Sequence, residues 1–358
     1  MDKSHFVVIP NWNGIDMIEE CLKSLREQTI KHTVIVVDNG SVDGSNVVIR
    51  EKFPEVQLLE FPDNAGFAGG VNRGIRPALE QGADDIALLN NDAVADPRWL
   101  ERLVAALEAD PKAGAVAAKI QTQDGRRLDS TGDFYSTWAL PFPRGRGEED
   151  KGQYDGPEKR QVFAVSGGAS LYRAELFHRI GLFDERFFAY YEDVDMGFRG
   201  QLAGWTMIYE PAATVKHYIG ATSSRIDTFK AGDKAAKPKA QETGHSRPSP
   251  FARYHSVKNF SYVYTKNMPG WLYWKYLPRF IASWLLMLAS DLRRGLLITN
   301  LKANLVALTK FGGILRDRQR IQKSRKVPLG RIESILWHGL PPQQQARLGQ
   351  LGVRGSKR

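Results

Sequence analysis

The chain is 358 residues long, 42% hydrophobic and 25% charged, enough for one large or two modest domains, which excludes collagen-like, disordered and disulfide-scaffold classes. Its 50 Lys+Arg against 40 Asp+Glu give a net charge of +10, which invites an anionic partner: nucleic acid, a phosphate-bearing substrate or acidic lipid. The one cysteine, Cys21, excludes an intrachain disulfide.

The N-terminus, MDKSHFVVIP, has no basic segment followed by a long apolar run, so no secretory signal is expected and synthesis should end in the cytosol. From residue 6 to about 120, short β-branched apolar runs alternate with amphipathic stretches, the pattern of a parallel sheet covered by helices. Strands are expected over 5–10, 33–38, 56–61, 85–90 and 115–120, and again over 206–209. Ile15, Ile18, Leu22 and Leu25 recur at helical spacing, with Asp16, Glu19 and Glu20 in the opening turns where the helix dipole favours acids. Further helices are expected over 67–81 and 96–109, the second opened by Asp96 with Pro97 at its first position.

Two segments, 141–160 and 223–250, are rich in turn-forming and charged residues without apolar periodicity and read as mobile loops, either lids or disordered. Residues 262–284 are dense in Tyr, Trp and Phe, and Leu297, Leu301, Leu305 and Leu308 then form an apolar stripe among Arg293, Arg294, Lys302 and Lys310. This pattern describes a helix lying in a membrane interface, and it equally fits helices packed on the preceding domain with Arg stems over apolar surface. The longest uncharged stretch there, 280–290, falls far short of the roughly 20 residues of a spanning helix. Residues 271–358 hold 17 Lys+Arg and three acids, so the basic excess belongs to the last quarter and the first 270 residues are mildly acidic.

Ligands of such sheets bind at the carboxyl ends of the strands. The first strand runs into Pro10-Asn11-Trp12-Asn13-Gly14 and the second into Asp38-Asn39-Gly40-Ser41. An Asp at that position can accept from the imide N–H of uracil or thymine, or it can simply order the turn. After the third strand comes Asp63-Asn64-Ala65-Gly66-Phe67-Ala68-Gly69-Gly70-Val71-Asn72-Arg73-Gly74, a Gly-rich helix entry where backbone can approach a phosphate and Arg73 can pair with a diphosphate oxygen. It matches neither the dinucleotide G-x-G-x-x-G nor the P-loop ending. The fourth strand runs into Asn90-Asn91-Asp92, where a carboxylate suits a divalent cation on a departing nucleotide or forms an ordinary strand-to-helix turn. Within 187–199, four aromatics precede Glu192, Asp193 and Asp195. Crowded carboxylates raise one another's pKa and one can serve as a general base, while acids in a helix's first turn also complement its dipole. His217, following the strand over 206–209, is a candidate metal ligand or a structural histidine.

Together these residues resemble glycosyltransferase family 2, inverting sugar-nucleotide enzymes of the GT-A fold, and within it the rhamnosyltransferase-like branch. The resemblance covers about residues 6–218 and rests on Val-Ile-Pro-Asn-Trp-Asn-Gly, Val-Val-Asp-Asn-Gly-Ser, Asn-Ala-Gly-Phe-Ala-Gly-Gly-Val-Asn-Arg-Gly, Leu-Leu-Asn-Asn-Asp, Ser-Gly-Gly-Ala-Ser-Leu and Tyr-Glu-Asp-Val-Asp-Met-Gly-Phe-Arg, in that order. It implies an α/β GT-A catalytic domain over 1–222, nucleotide-binding to about 120 and acceptor-binding beyond. A flexible loop over 223–250 and a basic, aromatic-rich helical region over 251–358 at a membrane surface would follow.

By that resemblance Asp193, beside Glu192, is the catalytic base, and Asp92, as the last acid of the family's D-x-D, holds Mg or Mn with His217. Pro10, Asn11, Asn13, Asp38, Asn64, Gly66, Asn72, Arg73, Asn91 and Gly168 are the implied nucleotide-sugar contacts, with Asp38 on the pyrimidine and Gly167 beside Gly168 near donor sugar and acceptor. Asn90 stands where many members carry the first Asp, which leaves fewer protein charges on the cation. The implied reaction is an inverting transfer from dTDP-L-rhamnose, or from a UDP-sugar that shares the imide edge. The implied acceptor is a glycan or lipid-linked glycan of cell-surface polysaccharide synthesis, met on anionic lipid at the cytosolic face of the inner membrane, with no nucleic acid involved. Two other readings compete. A nucleotidyltransferase making sugar nucleotides would open with a Gly-rich loop where 10–14 has one Gly. A non-catalytic basic protein binding membrane or nucleic acid leaves Glu192 and Asp193 unaccounted for.

Overall fold

The computed structural model describes residues 3–218 and 249–350, with side chains through 346. The described strands are β1 (His5–Asn11), β2 (Thr33–Asn39), β3 (Gln57–Phe61), β4 (Asp85–Leu89), β5 (Ala93–Ala95), β6 (Ala113–Thr122), β7 (Leu128–Ser130), β8 (Asp133–Tyr135), β9 (Pro141–Pro143), β10 (Gln161–Val162), β11 (Ala169–Arg173) and β12 (Thr206–His217). Helices α1 (Ile18–Arg26), α2 (Ser45–Lys52), α3 (Gly66–Glu80), α4 (Trp99–Ala109), α5 (Ala174–Ile180) and α6 (Glu192–Leu202) lie among them. Helices α7 (Pro250–Asn267), α8 (Gly270–Arg293), α9 (Leu297–Thr309), α10 (Phe311–Lys323), α11 (Leu329–Ile335) and α12 (Pro342–Gln350) follow.

The main sheet runs β10-β12-β6-β11-β4-β1-β2-β3. β1 lies parallel to β2 and β4, β2 to β3, and β6 to β12, while β11 runs antiparallel between β4 and β6. The apolar runs make this sheet because both of its faces are covered: Val7 and Ile9 point into one core with α1 and α4, Phe6 and Val8 into a second with α3. Gly74 lets α3 approach closely, since a Cβ there would sit 2.5 Å from Val8 Cγ1. The chain leaves β1 for β2 on one side and returns through α3 to β4 on the other, so a crevice opens at the carboxyl ends of β1 and β4.

The sheet is the mostly parallel α/β arrangement expected, with local differences. The strand expected over 206–209 continues to His217 past a register shift between Glu210 and Thr214, so His217 ends the strand rather than following it. Residues 141–160 are built into the fold, because β9 pairs with β8 and the buried Arg144 guanidinium donates to Thr131 O (2.7 Å), Thr131 Oγ1 (2.9 Å) and Lys159 O (2.8 Å). Helix α4 starts at Trp99, since Asp96 turns its carboxylate to the Arg98 N–H (3.0 Å). Of the loop expected over 223–250, all but Ser249 and Pro250 lies outside the described residues.

A third core joins the C-terminal helices to the sheet domain: Tyr135, Phe163, Phe187 and Phe198 pack with Phe260, Tyr262, Tyr264 and Tyr276. Much of the aromatic-dense stretch is thus interior, with Tyr264 stacked 4.4 Å from Phe280, whereas Trp271 and Trp274 are exposed. Among the described residues no helix is long and apolar enough to cross a membrane.

Candidate active site

A cavity of about 360 Å³ opens at the β1/β4 crevice, lined by Pro10, Asn11, Asn64, Gly66, Asn91 and Gly168 on the strand-end side. Asn11 is buried and organises its floor. Its Nδ2 donates to Asp38 Oδ1 (3.0 Å) and Ser45 Oγ (2.9 Å), and its Oδ1 accepts from Asn91 Nδ2 (2.8 Å). The β1–β2 register sets this up by placing Asn11 level with Asp38. Asp38 lies beneath the wall, where it also accepts from Ser41 Oγ (2.5 Å) and the Ser41 N–H (3.1 Å).

The turn after β4 brings a charged relay to the same cavity. His217 Nε2 lies 3.0 Å from Asp92 Oδ1, and His217 Nδ1 lies 3.0 Å from Asp129 Oδ2, whose other oxygen meets Arg146 Nε at 2.8 Å. Burial works against a charged imidazole, but the two carboxylates outweigh it and push the His217 pKa up to about 10. Arg146 and His217 hold Asp129 well below the usual carboxylate range against its burial. Asp92 and Asp129 face opposite ring nitrogens, so the three do not converge on one point, and no ready cluster of three acidic, Cys or His ligands exists among the described residues. Asp92 Oδ1 is nonetheless buried and receives no well-directed hydrogen bond. A buried carboxylate oxygen beside an imidazole whose far nitrogen is fixed by a second carboxylate fits a divalent cation that takes the place of the proton between Asp92 and His217 Nε2 and is completed by outside oxygens.

The opposite wall is a strained turn. Phe188, Tyr190 and Tyr191 have φ of 65°, 69° and 72°, a left-handed region that bulky residues rarely occupy. The turn is held from α7: Asn259 Nδ2 donates to Phe187 O (3.0 Å), Ala189 O (2.9 Å) and Tyr190 O (2.6 Å), and Lys258 Nζ to Arg186 O (2.7 Å). Gly66, with φ 73°, admits Phe188, since a Cβ there would lie 2.4 Å from Phe188 O.

The turn delivers α6 with its first residues in the cavity wall. Asp193 accepts from the Val194 N–H (2.7 Å) and the Gly167 N–H (3.4 Å), and burial raises its pKa. Glu192 is raised well above the usual range by burial and by Asp193, and its Oε2 has no hydrogen-bond partner. Asp195 faces away, bound to Arg199 Nε (2.8 Å), Lys266 Nζ (2.9 Å) and Asn267 Nδ2 (2.8 Å). Asp133, on the wall and buried, is pushed up to about 7 by burial and then by the Asp193 charge.

Several expected contacts lie off this wall. Asn72 braces the 183–185 segment, donating to Phe183 O (2.8 Å) and accepting from the Phe183 N–H (3.0 Å). Arg73 is taken by Asp63 (3.0 and 3.1 Å), and Asn13 by the Val42 N–H (2.9 Å). Asp129, Asp133, Arg146 and Asn259 escape sequence reasoning. The one available signal was the pair of acids in Asp129-Ser130-Thr131-Gly132-Asp133, a stretch without period.

The profile of the family described as glycosyl transferase family 2 matches residues 6–181, ending short of Asp193 and His217. The N-acetylglucosaminyl-diphospho-decaprenol L-rhamnosyltransferase of Mycobacterium tuberculosis is 31% identical over 234 residues, 58% of this chain and 74% of its own. The undecaprenyl-phosphate mannosyltransferase of Micrococcus luteus is 27% identical over 60% of this chain and 84% of its own. In fold, the chain is similar to a mannosyltransferase of Pyrobaculum calidifontis, solved in complex with GDP-Man and Mn2+. The TM-score is 0.50 at 17% identity, covering 89% of this chain and 85% of that one.

Proposed function

The chain belongs to glycosyl transferase family 2, in its rhamnosyltransferase-like branch, and from that premise we propose that it moves L-rhamnose from dTDP-L-rhamnose to a lipid-linked glycan, with inversion at the anomeric carbon. The observation that carries the reading is Asp193 on the wall of the same cavity that Asn11, Asn91 and Gly168 line, so a base and a nucleotide-sized floor share one space. The rhamnosyl donor and the diphospholipid acceptor are drawn from the Mycobacterium relative.

In this reading Asn11, Asn91, Asn64 and Gly66 hold the nucleotide, with Pro10 and Asp38 fixing the pyrimidine side. The acceptor hydroxyl lies against Asp193, which takes its proton as the oxygen attacks the anomeric carbon and the nucleoside diphosphate departs. The raised Asp193 pKa makes the carboxylate a better base than an exposed one. Burial and the neighbouring Asp193 raise the Glu192 pKa, which favours a neutral carboxyl beside the base. Asp129, Asp133, Glu192 and Asp193 line the cavity beside Arg146 and His217, so an incoming diphosphate meets carboxyl groups as well as cations. Asp92 and His217 would hold Mg or Mn, which when bound neutralises charge on the leaving diphosphate. Asp129 keeps the His217 ring turned toward Asp92.

Purified protein given dTDP-rhamnose, UDP-glucose, UDP-N-acetylglucosamine or GDP-mannose with a short-chain N-acetylglucosaminyl diphospholipid provides the test. Mass spectrometry is expected to show a deoxyhexose added from dTDP-rhamnose alone. Transfer from a UDP-sugar instead would overturn the donor, and pyrophosphate release from a nucleoside triphosphate would overturn the reaction class.

A further inference from the structure

Helices α8 and α9 leave large apolar side chains exposed that a helix surrounded by water would bury. On α8, Trp271, Trp274, Ile281, Leu285 and Leu292 recur at spacings of three, four and seven, which is one face of a helix, and they are 45 to 70% exposed. The opposite face buries Leu272 and Tyr276 together with polar Ser283 and Asp291: Ser283 Oγ donates to Trp138 O (2.8 Å), and Asp291 accepts from Arg253 Nε (2.7 Å) and Asn300 Nδ2 (2.6 Å). On α9, Ile298, Leu301, Leu305 and Leu308 repeat the pattern at 53 to 69% exposure, while Asn300, Ala303 and Ala307 are buried. Exposed apolar stripes on two successive helices mark an interaction surface.

Charge identifies the occupant. Between residues 270 and 310 the basic residues are Lys275, Arg279, Arg293, Arg294, Lys302 and Lys310, all exposed; the only acid in that span is Asp291, buried and paired with Arg253, while Lys275 is paired with Glu333 of α11. A two-fold pairing with a second copy would set this basic edge against itself. A bilayer carrying anionic lipid supplies both the apolar phase and the countercharge.

We propose that α8 and α9 form an interfacial docking surface. The Trp and Leu stripes enter the boundary between headgroups and acyl chains, and Arg293, Arg294, Lys302 and Lys310 meet lipid phosphates. The same helix braces a turn that leads to the active site. Arg279 donates to Thr137 Oγ1 (2.9 Å), and the 137–138 turn leads into Pro141, Phe142 and Pro143 on the cavity lining. A bilayer held by α8 therefore lies one helix diameter, about 10 Å, from the segment that rims the cavity, within reach of an acceptor that stays in the membrane. Docking goes beyond the transfer reaction and stands or falls separately from it.

The test is co-sedimentation of the full chain with vesicles of phosphatidylcholine alone or mixed with phosphatidylglycerol, at low salt, beside a Leu301→Asp/Leu305→Asp variant and an Arg293→Glu/Arg294→Glu variant. The wild type is expected to bind the anionic vesicles and to release them as salt rises, and each variant to lose binding at least about tenfold, with unchanged thermal unfolding because these side chains are exposed. Absence of wild-type binding to anionic vesicles, or undiminished binding by the leucine variant, overturns the proposal. So does a wild-type dimer in sedimentation velocity that the leucine variant turns to monomer while vesicle binding persists, since the stripe then belongs to a second copy.

Discussion

Asp129 meets Arg146 with one oxygen and His217 with the other, so its influence on the site runs through the imidazole that faces Asp92. Asp129→Asn keeps the shape and removes the charge. It is expected to weaken Mn2+ binding about 10- to 100-fold by titration calorimetry and to bring the His217 pKa down from about 10 by NMR. Unchanged affinity would mean that Asp129 does not orient the ring. Asp133 makes a second, signed prediction. Its folded pKa of about 7 stands above the ordinary carboxylate value, so between pH 4 and 7 the folded protein binds more protons than the unfolded chain and loses stability as pH rises. Asp133→Asn should flatten the fall of melting temperature between pH 5 and 8, and an unaltered profile would contradict the assignment. Neither acid was legible as a site residue. Both sit on three-residue strands whose place beside β6 and β9 is set by tertiary register rather than by local pattern. Asp193 was legible only as one of three crowded acids, singled out by the family resemblance; the structure puts it on the cavity wall and turns Asp195 away.

At the scale of elements, the 188–191 turn stores strain that α7 restrains with one amide bound to three carbonyls. Asn259→Ala should cost about 1–3 kcal/mol of stability and slow transfer about tenfold or more, with donor binding little changed because the Asn11–Asn91 floor lies on the other wall. Steady-state kinetics beside calorimetric binding checks this, and full transfer by the variant would show that the turn needs no clamp. Strands β1, β2 and β4 were readable because strands with buried faces become continuous apolar runs bounded by turn residues, and the edge strand β3 because its short run ends at Pro62. Strands β7 to β10, two or three residues each, offer no run long enough to show a period. The 141–160 segment looked like a loose loop because its order comes from the buried Arg144, an interaction that composition conceals.

For the whole molecule, the +10 charge belongs to a C-terminal region that is both basic outside and structural inside. A chain ending at Met268 would lose Leu272, Tyr276, Ile314, Ile321 and Ile332 from the third core, each worth about 2–4 kcal/mol on the scale of large-to-small core changes. Such a chain should melt well below the full protein. A melting temperature equal to that of the full chain would show that the C-terminal helices only decorate the catalytic fold. The central claim is that the strand-end cavity binds a nucleotide sugar while Asp193 removes the acceptor proton. It is tested most directly by single-turnover transfer with Asp193→Asn beside a calorimetric measurement of donor binding. The account predicts transfer slowed about 10²- to 10⁴-fold with donor affinity unchanged within about twofold. Near-wild-type transfer by Asp193→Asn would contradict it.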